Sequence, residues 1–329
     1  MKQSAAIRPE PSYQRKAAIA HGGATDHAGA VAVLPIPDFD LGRTIFQTLE
    51  GRAARYVIKK RIAKDVRWFV DDAKRVQAAY DERAAEGPLP EVDPALLKFL
   101  VEECDFDVEH ADGSFLDHLY FCFEYGVRHY PERSPLVLLL HSILGTGTNT
   151  FAMDKSKIPR FRALVSPFEW THIEAFPSLL RLLYAGDLRR ELRENLGRLS
   201  ALRGIRFRRV IDNEPIELTA EDLWIGLNYQ LVHLVDFMPV ANWATHLNDT
   251  SYILLRDLID LLARAGKQEA RVRYEGPSGG RHAVGEFMGV GGWLTTHIPV
   301  DLSERMASVS VRKFSAAIGH DLGYTIDWR

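Results

Sequence analysis

Hydrophobic side chains recur at helical spacing along most of the sequence. Between Leu41 and about Glu86, apolar residues three or four positions apart alternate with charged ones, which predicts one long amphipathic helix or two. The segment Gly87-Pro88-Leu89-Pro90 then lacks two backbone donors within four residues, so it ends the pattern. A further helix is predicted from Asp93-Pro94 to about Cys104.

The next two helices are predicted from their first residues and their apolar content. Ser114 and Asp117 have the spacing of a capping box and begin a helix that Pro131 stops. Ser134-Pro135 begins a segment that is apolar on every side until Gly145. A helix of that kind belongs in the middle of a core, so we expect His141 within it to be buried.

The remaining elements are mixed. We predict a helix over Phe168–Tyr184 interrupted at Pro177, and a long helix that Thr219 and Asp222 cap. The sequence also predicts several smaller elements: a hairpin at Arg206–Leu218 turning at Asp212–Pro215, a helix at Tyr252–Ala265, a strand at Arg271–Tyr274, glycine-rich turns at Gly276–Gly280 and Gly289–Gly292, and a last helix near Ser303–Ile318.

Composition limits the class of protein. Hydrophobic residues make up 46% and charged residues 26% of the chain, which is typical of a globular protein. The formal charge of −3 offers no global attraction to nucleic acid, and no apolar run is long enough to cross a membrane. Two cysteines are too few for a disulfide framework. We therefore expect a cytoplasmic protein with no membrane or nucleic-acid partner.

One stripe of the helix that begins at Ser114 carries candidate chemistry. His118, Cys122, Tyr125 and His129 fall on one face of it. Imidazole and thiolate are ligands for Zn or Fe, so the stripe could hold a metal. Ordinary packing is the alternative, and we expect packing roles for Cys122, Tyr125 and His129.

Three predicted helices each offer inward polar groups. His118 and His141 lie on successive apolar helices, and His233 and Asp236 are three residues apart on a later one. A buried imidazole or carboxylate needs a partner. These residues therefore form either a shared site or separate core polar groups that are satisfied locally.

Two segments resemble a little-characterised branch of the HD-domain superfamily. They are Ser114-Phe115-Leu116-Asp117-His118-Leu119 and Leu138-Leu139-Leu140-His141-Ser142-Ile143-Leu144-Gly145-Thr146. The resemblance implies a helical bundle with a divalent metal (Fe, Mn or Zn) at His118, His141 and Asp236, with His233 or His172 as a further ligand. Ser142 stands where that superfamily has the paired Asp, which argues against two metals and for at most one.

The fold expected from pattern and resemblance together is mainly α: an HD-like helical bundle with a small β-hairpin and a mixed α/β C-terminal extension. We expect a flexible N-terminal tail at residues 1–39, a helical arm at 40–90, the HD-like domain at 91–265 and the extension at 266–329. The basic run Arg52–Arg67 is expected to be a solvated helix face. The arm could also serve as a contact between copies of the chain.

The loop after His141 could contact a substrate. Backbone amides of Gly145-Thr146-Gly147-Thr148-Asn149 could face an anion, although a helix C-cap followed by a turn explains the glycines better. The candidates for substrate contact are Ser142, Thr146, Lys155 and Arg160.

Three functions are carried forward. The first is metal-dependent hydrolysis of a phosphate ester or nucleotide, which would make a small molecule the substrate. The second is a non-catalytic binding or scaffold protein with a degenerate HD site, which Ser142 favours. The third is non-heme iron oxygenation, which normally uses a richer ligand set.

Overall fold

Helices account for most of the described chain, as the hydrophobic pattern predicts. The structure is a computed structural model and describes residues 10–22, 51–61, 66–67, 70–104, 114–237, 247–273, 284–285 and 289–328. Numbered in chain order, its elements are α1 Tyr13–His21, α2 Arg52–Arg61, β1 Val66–Arg67, α3 Val70–Ala85, α4 Pro94–Glu103, α5 Phe115–His129, α6 Leu136–Leu140, α7 Ile158–Arg162, α8 Pro167–Ala185, α9 Asp187–Glu194, β2 Leu202–Arg208, β3 Pro215–Thr219, α10 Ala220–Leu234, α11 Thr250–Ala265, β4 Val284–Gly285, α12 Gly289–Thr296, α13 Val300–Ala317 and β5 Thr325–Trp328.

Helix α5 begins and ends where the sequence predicts. Ser114 accepts a hydrogen bond from the Asp117 amide while the Asp117 carboxylate accepts one from the Ser114 amide, which completes the capping box. Gly126 lets α5 approach α6 closely, because a Cβ there would lie 2.8 Å from Leu138 Cδ1. This close packing sets the distance between the two elements that carry His118 and His141.

Helix α6 is shorter than predicted. Regular helix ends at Leu140, and residues 141–144 continue as tight turns in which the Ile143 amide donates to Leu140. Gly145 then adopts a φ of 128°, a value that favours glycine. His141 therefore sits just after the helix rather than inside it, and it is buried as expected.

The predicted interruption of α8 at Pro177 is wrong. The helix continues to Ala185, and nearly every residue from His172 to Leu183 is buried. Packing against α6, α10 and α13 holds the helix together although Pro177 cannot donate a backbone hydrogen bond.

The predicted hairpin is confirmed, and it has a third strand. β2 and β3 pair antiparallel with Ile205 opposite Leu218, and Asn213 takes a positive φ of 61° in the turn. β5 pairs with the other edge of β2, with Ile326 opposite Ile205. The alternation in β5 covers only four residues, which is too short a pattern to separate from an irregular end.

The N-terminal region differs from the flexible tail that the sequence predicts. Ser12 caps α1, and Ala17, Ala18 and Ile19 are buried against α3 and α5. The apolar residues of α1 are mostly alanines, whose small side chains give a weak hydrophobic signal. The helix is therefore stabilised by tertiary packing that the local pattern does not reveal.

The C-terminal region also departs from expectation. Residues 271–273 form no strand, Gly289–Gly292 lie in α12 rather than in a turn, and Tyr274 and Gly276–Gly280 lie outside the described residues. The helix predicted near Ser303–Ile318 is confirmed as α13, which packs on α8. Because β5 also pairs with β2, the C-terminal region packs against the core instead of forming a separate extension.

None of the described helices is both long enough and apolar enough to cross a membrane.

Candidate metal centre

Three imidazoles and one thiol meet in the core. His118 and Cys122 are one turn apart on α5, His141 follows α6, and His233 lies in the last turn of α10. One donor atom from each of the four lies within 4.8 Å of every other. All four side chains are buried, with exposures of 2%, 0%, 1% and 2% in chain order of the residues. The sequence predicted His118, His141 and His233 as candidates but expected Cys122 to be a packing residue.

The donor spacing suits a single metal ion. His118 Nε2 lies 3.1 Å from His141 Nε2. In a tetrahedral site with metal–nitrogen distances of about 2.0–2.1 Å, ligand nitrogens are roughly 3.3 Å apart. The two imidazoles therefore fit a shared ion with only a small adjustment.

Hydrogen bonds on the far ring nitrogens fix which nitrogen carries the proton. His118 Nδ1 lies 2.6 Å from Asp236 Oδ2, and His141 Nδ1 lies 2.7 Å from the carbonyl oxygen of Leu138. Facing acceptors, each Nδ1 donates, so each Nε2 of a neutral ring carries a lone pair. Two lone pairs at 3.1 Å repel each other unless a cation lies beside them. Either a proton on one Nε2, balanced by Asp236, or a metal ion between the two nitrogens would remove that repulsion, so the arrangement is compatible with a metal site.

Charge and burial keep His141 neutral. Burial lowers the pKa of His141 to about 3, and the neighbouring His118 contributes to the lowering. A neutral imidazole is the form that binds metals. His141 is thus ready to act as a ligand throughout the physiological pH range.

Asp236 lies behind His118. Its Oδ2 contacts His118, its Oδ1 accepts a hydrogen bond of 3.2 Å from the Tyr125 hydroxyl, and Arg15 Nη2 is 3.5 Å from Oδ2. The carboxylate is 2% exposed and occupies the 3₁₀ turn that follows α10. This arrangement is the one in which a carboxylate orients a metal-binding histidine from behind.

Arg15 also contributes to the surroundings of Asp236, and the sequence alone did not predict this. It is 3% exposed, and its guanidinium carbon lies 3.9 Å from the centre of the Phe121 ring. Its helix, α1, falls within the region expected to be a flexible tail, so no signal linked it to Asp236. The arginine supplies a buried positive charge beside the buried carboxylate.

Cys122 lies beside the His118 ring. Its Sγ is 3.8 Å from Nδ1 and 4.0 Å from Nε2, so the sulfur is nearly equidistant from the two nitrogens. That position is alongside the ring rather than beyond the Nε2 lone pair. Burial raises the pKa of the thiol well above its usual value, with a further increase from Asp236. Burial and the Asp236 charge thus disfavour the thiolate form of Cys122.

Aromatic rings enclose the remaining sides of the cluster. The Phe176 ring centre lies 4.8 Å from that of His141 and 5.2 Å from that of His233. Phe237 lies 5.2 Å from His233 by the same measure. An apolar wall lowers the local polarity and strengthens any interaction between the imidazoles and an ion.

The four predicted substrate contacts have separate surroundings. Ser142 follows His141 and is buried, whereas Lys155 is exposed and Arg160 pairs with Glu103 at 2.7 Å. Thr146 Oγ1 accepts from the amides of Thr148 and Thr150, at 3.1 and 3.0 Å. Among the described contacts, none joins Thr146, Lys155 or Arg160 to the histidine cluster.

The two other histidines considered from the sequence lie elsewhere. His172 packs against Phe168 and Tyr229, with Nε2 3.7 Å from Asp222. His129 Nε2 donates to the Ala18 carbonyl oxygen, 3.1 Å away, at the far end of α5. Neither belongs to the group whose donor atoms converge.

Comparisons with protein families, with curated protein sequences and with solved structures find no match to this chain. The chemistry of the site therefore rests on its own geometry.

Proposed function

We propose that this protein holds one divalent metal ion between His118, His141 and His233 and hydrolyses a phosphate ester or a nucleotide. The observation that supports this most directly is the approach of two imidazole Nε2 atoms to 3.1 Å while both Nδ1 atoms are engaged elsewhere. Three imidazoles favour Zn or Fe over Mn, which prefers oxygen ligands. Membership of the HD-domain superfamily is part of the same proposal.

The side chains of this chain would divide the work between them. His118, His141 and His233 would hold the ion, and Asp236 would orient His118 and increase its basicity. When bound, a divalent metal supplies Lewis acidity toward a phosphoryl oxygen and acidifies water. Phe176 and Phe237 would exclude bulk water from this region.

The position of Cys122 favours an open site. Catalytic zinc sites with three protein ligands keep a fourth position for water or substrate. A sulfur beside the His118 ring rather than beyond Nε2 leaves that position available. Ser142, next to His141 and without charge, agrees with a single ion.

A second candidate is a non-catalytic scaffold in which a structural metal ion links the helices of the core. The observation that favours it is the exposure of 2% or less for all four converging side chains. Structural zinc sites are closed by four protein ligands, and Cys122 would have to complete the set as a thiolate. The two candidates therefore differ in whether Cys122 is a thiol that does not bind the metal or a thiolate that does.

Metal content and turnover test the first candidate. Protein purified without chelators or a nickel column should contain about one Zn or Fe per chain, and His141→Ala should contain none. The metal-loaded protein should hydrolyse bis(p-nitrophenyl) phosphate or a nucleoside monophosphate, and His297→Ala, a change at an exposed histidine, should retain that activity. Stoichiometric metal without hydrolysis of any of these would contradict the proposal.

Cobalt substitution separates the two candidates. Co²⁺ bound by imidazoles alone lacks a thiolate charge-transfer band, whereas a thiolate ligand produces one. We expect no such band, and an identical spectrum from Cys122→Ser. A strong band that Cys122→Ser abolishes would favour the closed scaffold site instead.

A further inference from the structure

A cleft lies at the end of α5 opposite the candidate metal centre. It has a volume of about 500 Å³, within the size range of small-molecule sites. We refer to it as the arginine cleft because four of the residues around it are arginines. Its lining residues are Ile19, Ala20, His21, Gly22, Arg83, Arg128, His129, Gln268, Arg271, Val272 and Arg273. No aspartate or glutamate is among these described lining residues.

The arginine cleft is separate from the metal centre. His129 follows His118 by eleven residues on the same helix. At 1.5 Å per residue, the two positions are roughly 16 Å apart along the helix axis. A ligand in the cleft would therefore not need the metal centre to bind, and the inference does not rest on the proposed function.

Backbone hydrogen bonds build the wall of the cleft. The Arg271 amide donates to the His129 carbonyl at 2.6 Å, and the Arg273 amide donates to Gly22 at 3.0 Å. Gly22 has a φ of 63°, and a Cβ there would lie 2.9 Å from the Arg271 carbonyl oxygen. Three distant segments of the chain thus meet at fixed positions, so the arginines project from an ordered frame.

The positive charges of the cleft are only partly offset. Arg83 pairs with Glu86 and Arg271 pairs with Glu132, and both carboxylates lie outside the lining. Arg128 lines the cleft without an ion pair to any described carboxylate. An anion in the cleft would offset this charge.

We propose that the arginine cleft binds a small anion that carries two or more phosphate groups. Guanidinium groups match phosphate oxygens with paired, charge-assisted hydrogen bonds. Arg128 would contribute from a partly buried position and Arg273 from the rim. The concave shape and limited volume favour a small ligand over a nucleic-acid strand, which would need an extended basic surface.

Calorimetry with pyrophosphate tests the proposal. Full-length protein should bind about one equivalent, and Arg128→Gln and Arg273→Gln should each weaken binding by at least about tenfold, or about 1.4 kcal/mol. Arg203→Gln removes the same charge from an exposed position outside the lining and should change affinity less than about twofold. The rim variant Arg273→Gln should have the same urea midpoint as the wild type. Equal midpoints would exclude a folding defect as the cause of its weaker pyrophosphate binding.

Four results would overturn the proposal, and the first three concern pyrophosphate alone. These three are no saturable heat with pyrophosphate up to about 5 mM, wild-type affinity in both cleft variants, or loss of binding in His141→Ala, which would move the ligand to the metal centre. Displacement of pyrophosphate by a short single-stranded RNA that binds more tightly would also overturn it, since the occupant would then be a polymer. Binding that persists in His141→Ala supports the cleft whether or not the protein proves to be a hydrolase.

Discussion

His118 and Asp236 lie 118 residues apart in sequence, yet His118 Nδ1 and Asp236 Oδ2 are separated by only 2.6 Å in the core. The contact joins the first turn of α5 to the turn that follows α10. It places the carboxylate on the nitrogen that faces away from His141. Asp236 therefore acts on the candidate metal centre through His118, and we propose it as a positioning residue.

Replacing Asp236 with Asn should weaken metal binding by about 10- to 100-fold, because the amide orients His118 less firmly and adds no negative charge. Competition with a metal chelator of known affinity measures the change. Asp327→Asn, at an exposed position on β5, is the control and should bind metal as the wild type does. Unchanged affinity in Asp236→Asn would contradict the positioning role.

Replacing Ser142 with Asp should increase the affinity for Mn or Fe. Ser142 is buried beside His141, and a carboxylate there would add an oxygen ligand of the kind these metals prefer. Titration calorimetry should give at most one equivalent of metal for the wild type. Two equivalents bound by the wild type would contradict the single-ion reading, and no binding by either protein would favour a core held by hydrogen bonds alone.

Replacing Gly126 with Ala should destabilise the protein by about 1–3 kcal/mol, because the new methyl group would push α6 away from α5. The added Cβ would lie 2.8 Å from Leu138 Cδ1 and 3.2 Å from Pro135 Cβ. Urea unfolding measures the loss. Gly197→Ala is the matched control, since a Cβ there meets nothing within 4 Å. Equal stability of the two variants would show that the α5–α6 contact is looser than described.

His172 should make the stability depend on pH. Burial lowers its pKa from 6.5 to about 4, and both ring nitrogens are buried without a hydrogen-bond partner among the described residues. Below about pH 6.5, His172 binds a proton in the unfolded chain, whereas in the folded chain it does not bind one until about pH 4. Stability is therefore full above about pH 6.5 and falls as the pH decreases toward 4.

Replacing His172 with Leu should remove that part of the loss, of the order of 2–3 kcal/mol. Urea unfolding at pH 7.5 and pH 4.5 measures it in both proteins. The wild type should lose more stability than His172→Leu between the two conditions. A parallel loss in both would assign the pH dependence to other groups, such as His129, whose pKa burial also lowers to about 4.

The parts of the fold that were predicted correctly have strong local signals. The capping boxes at Ser114 and Thr219 and the turn before Pro215 are decided within a few residues. Features that depend on distant packing could not be predicted in this way. Pro177 stays inside a continuous helix because other helices surround it, and β5 becomes a strand because β2 offers a free edge.

The candidate site could likewise be predicted only in part. His118, His141, His233 and Asp236 could be selected because polar groups on apolar helices need partners. Their roles could not be separated, since helical spacing does not show which ring nitrogen faces which neighbour. Cys122 was assigned to packing, and its position within the converging group becomes visible only when α6 and α10 are in place.

The burial of Arg15 beside Asp236 has a practical consequence for any shortened version of the chain. A fragment that starts at α4, where the helical bundle was expected to begin, would lack this arginine and would leave the Asp236 carboxylate in the core with one positive neighbour fewer. The loss of this buried charge partner should destabilise such a fragment. A minimal domain for expression should therefore begin upstream of Ser12, so that it keeps α1 together with its N-cap.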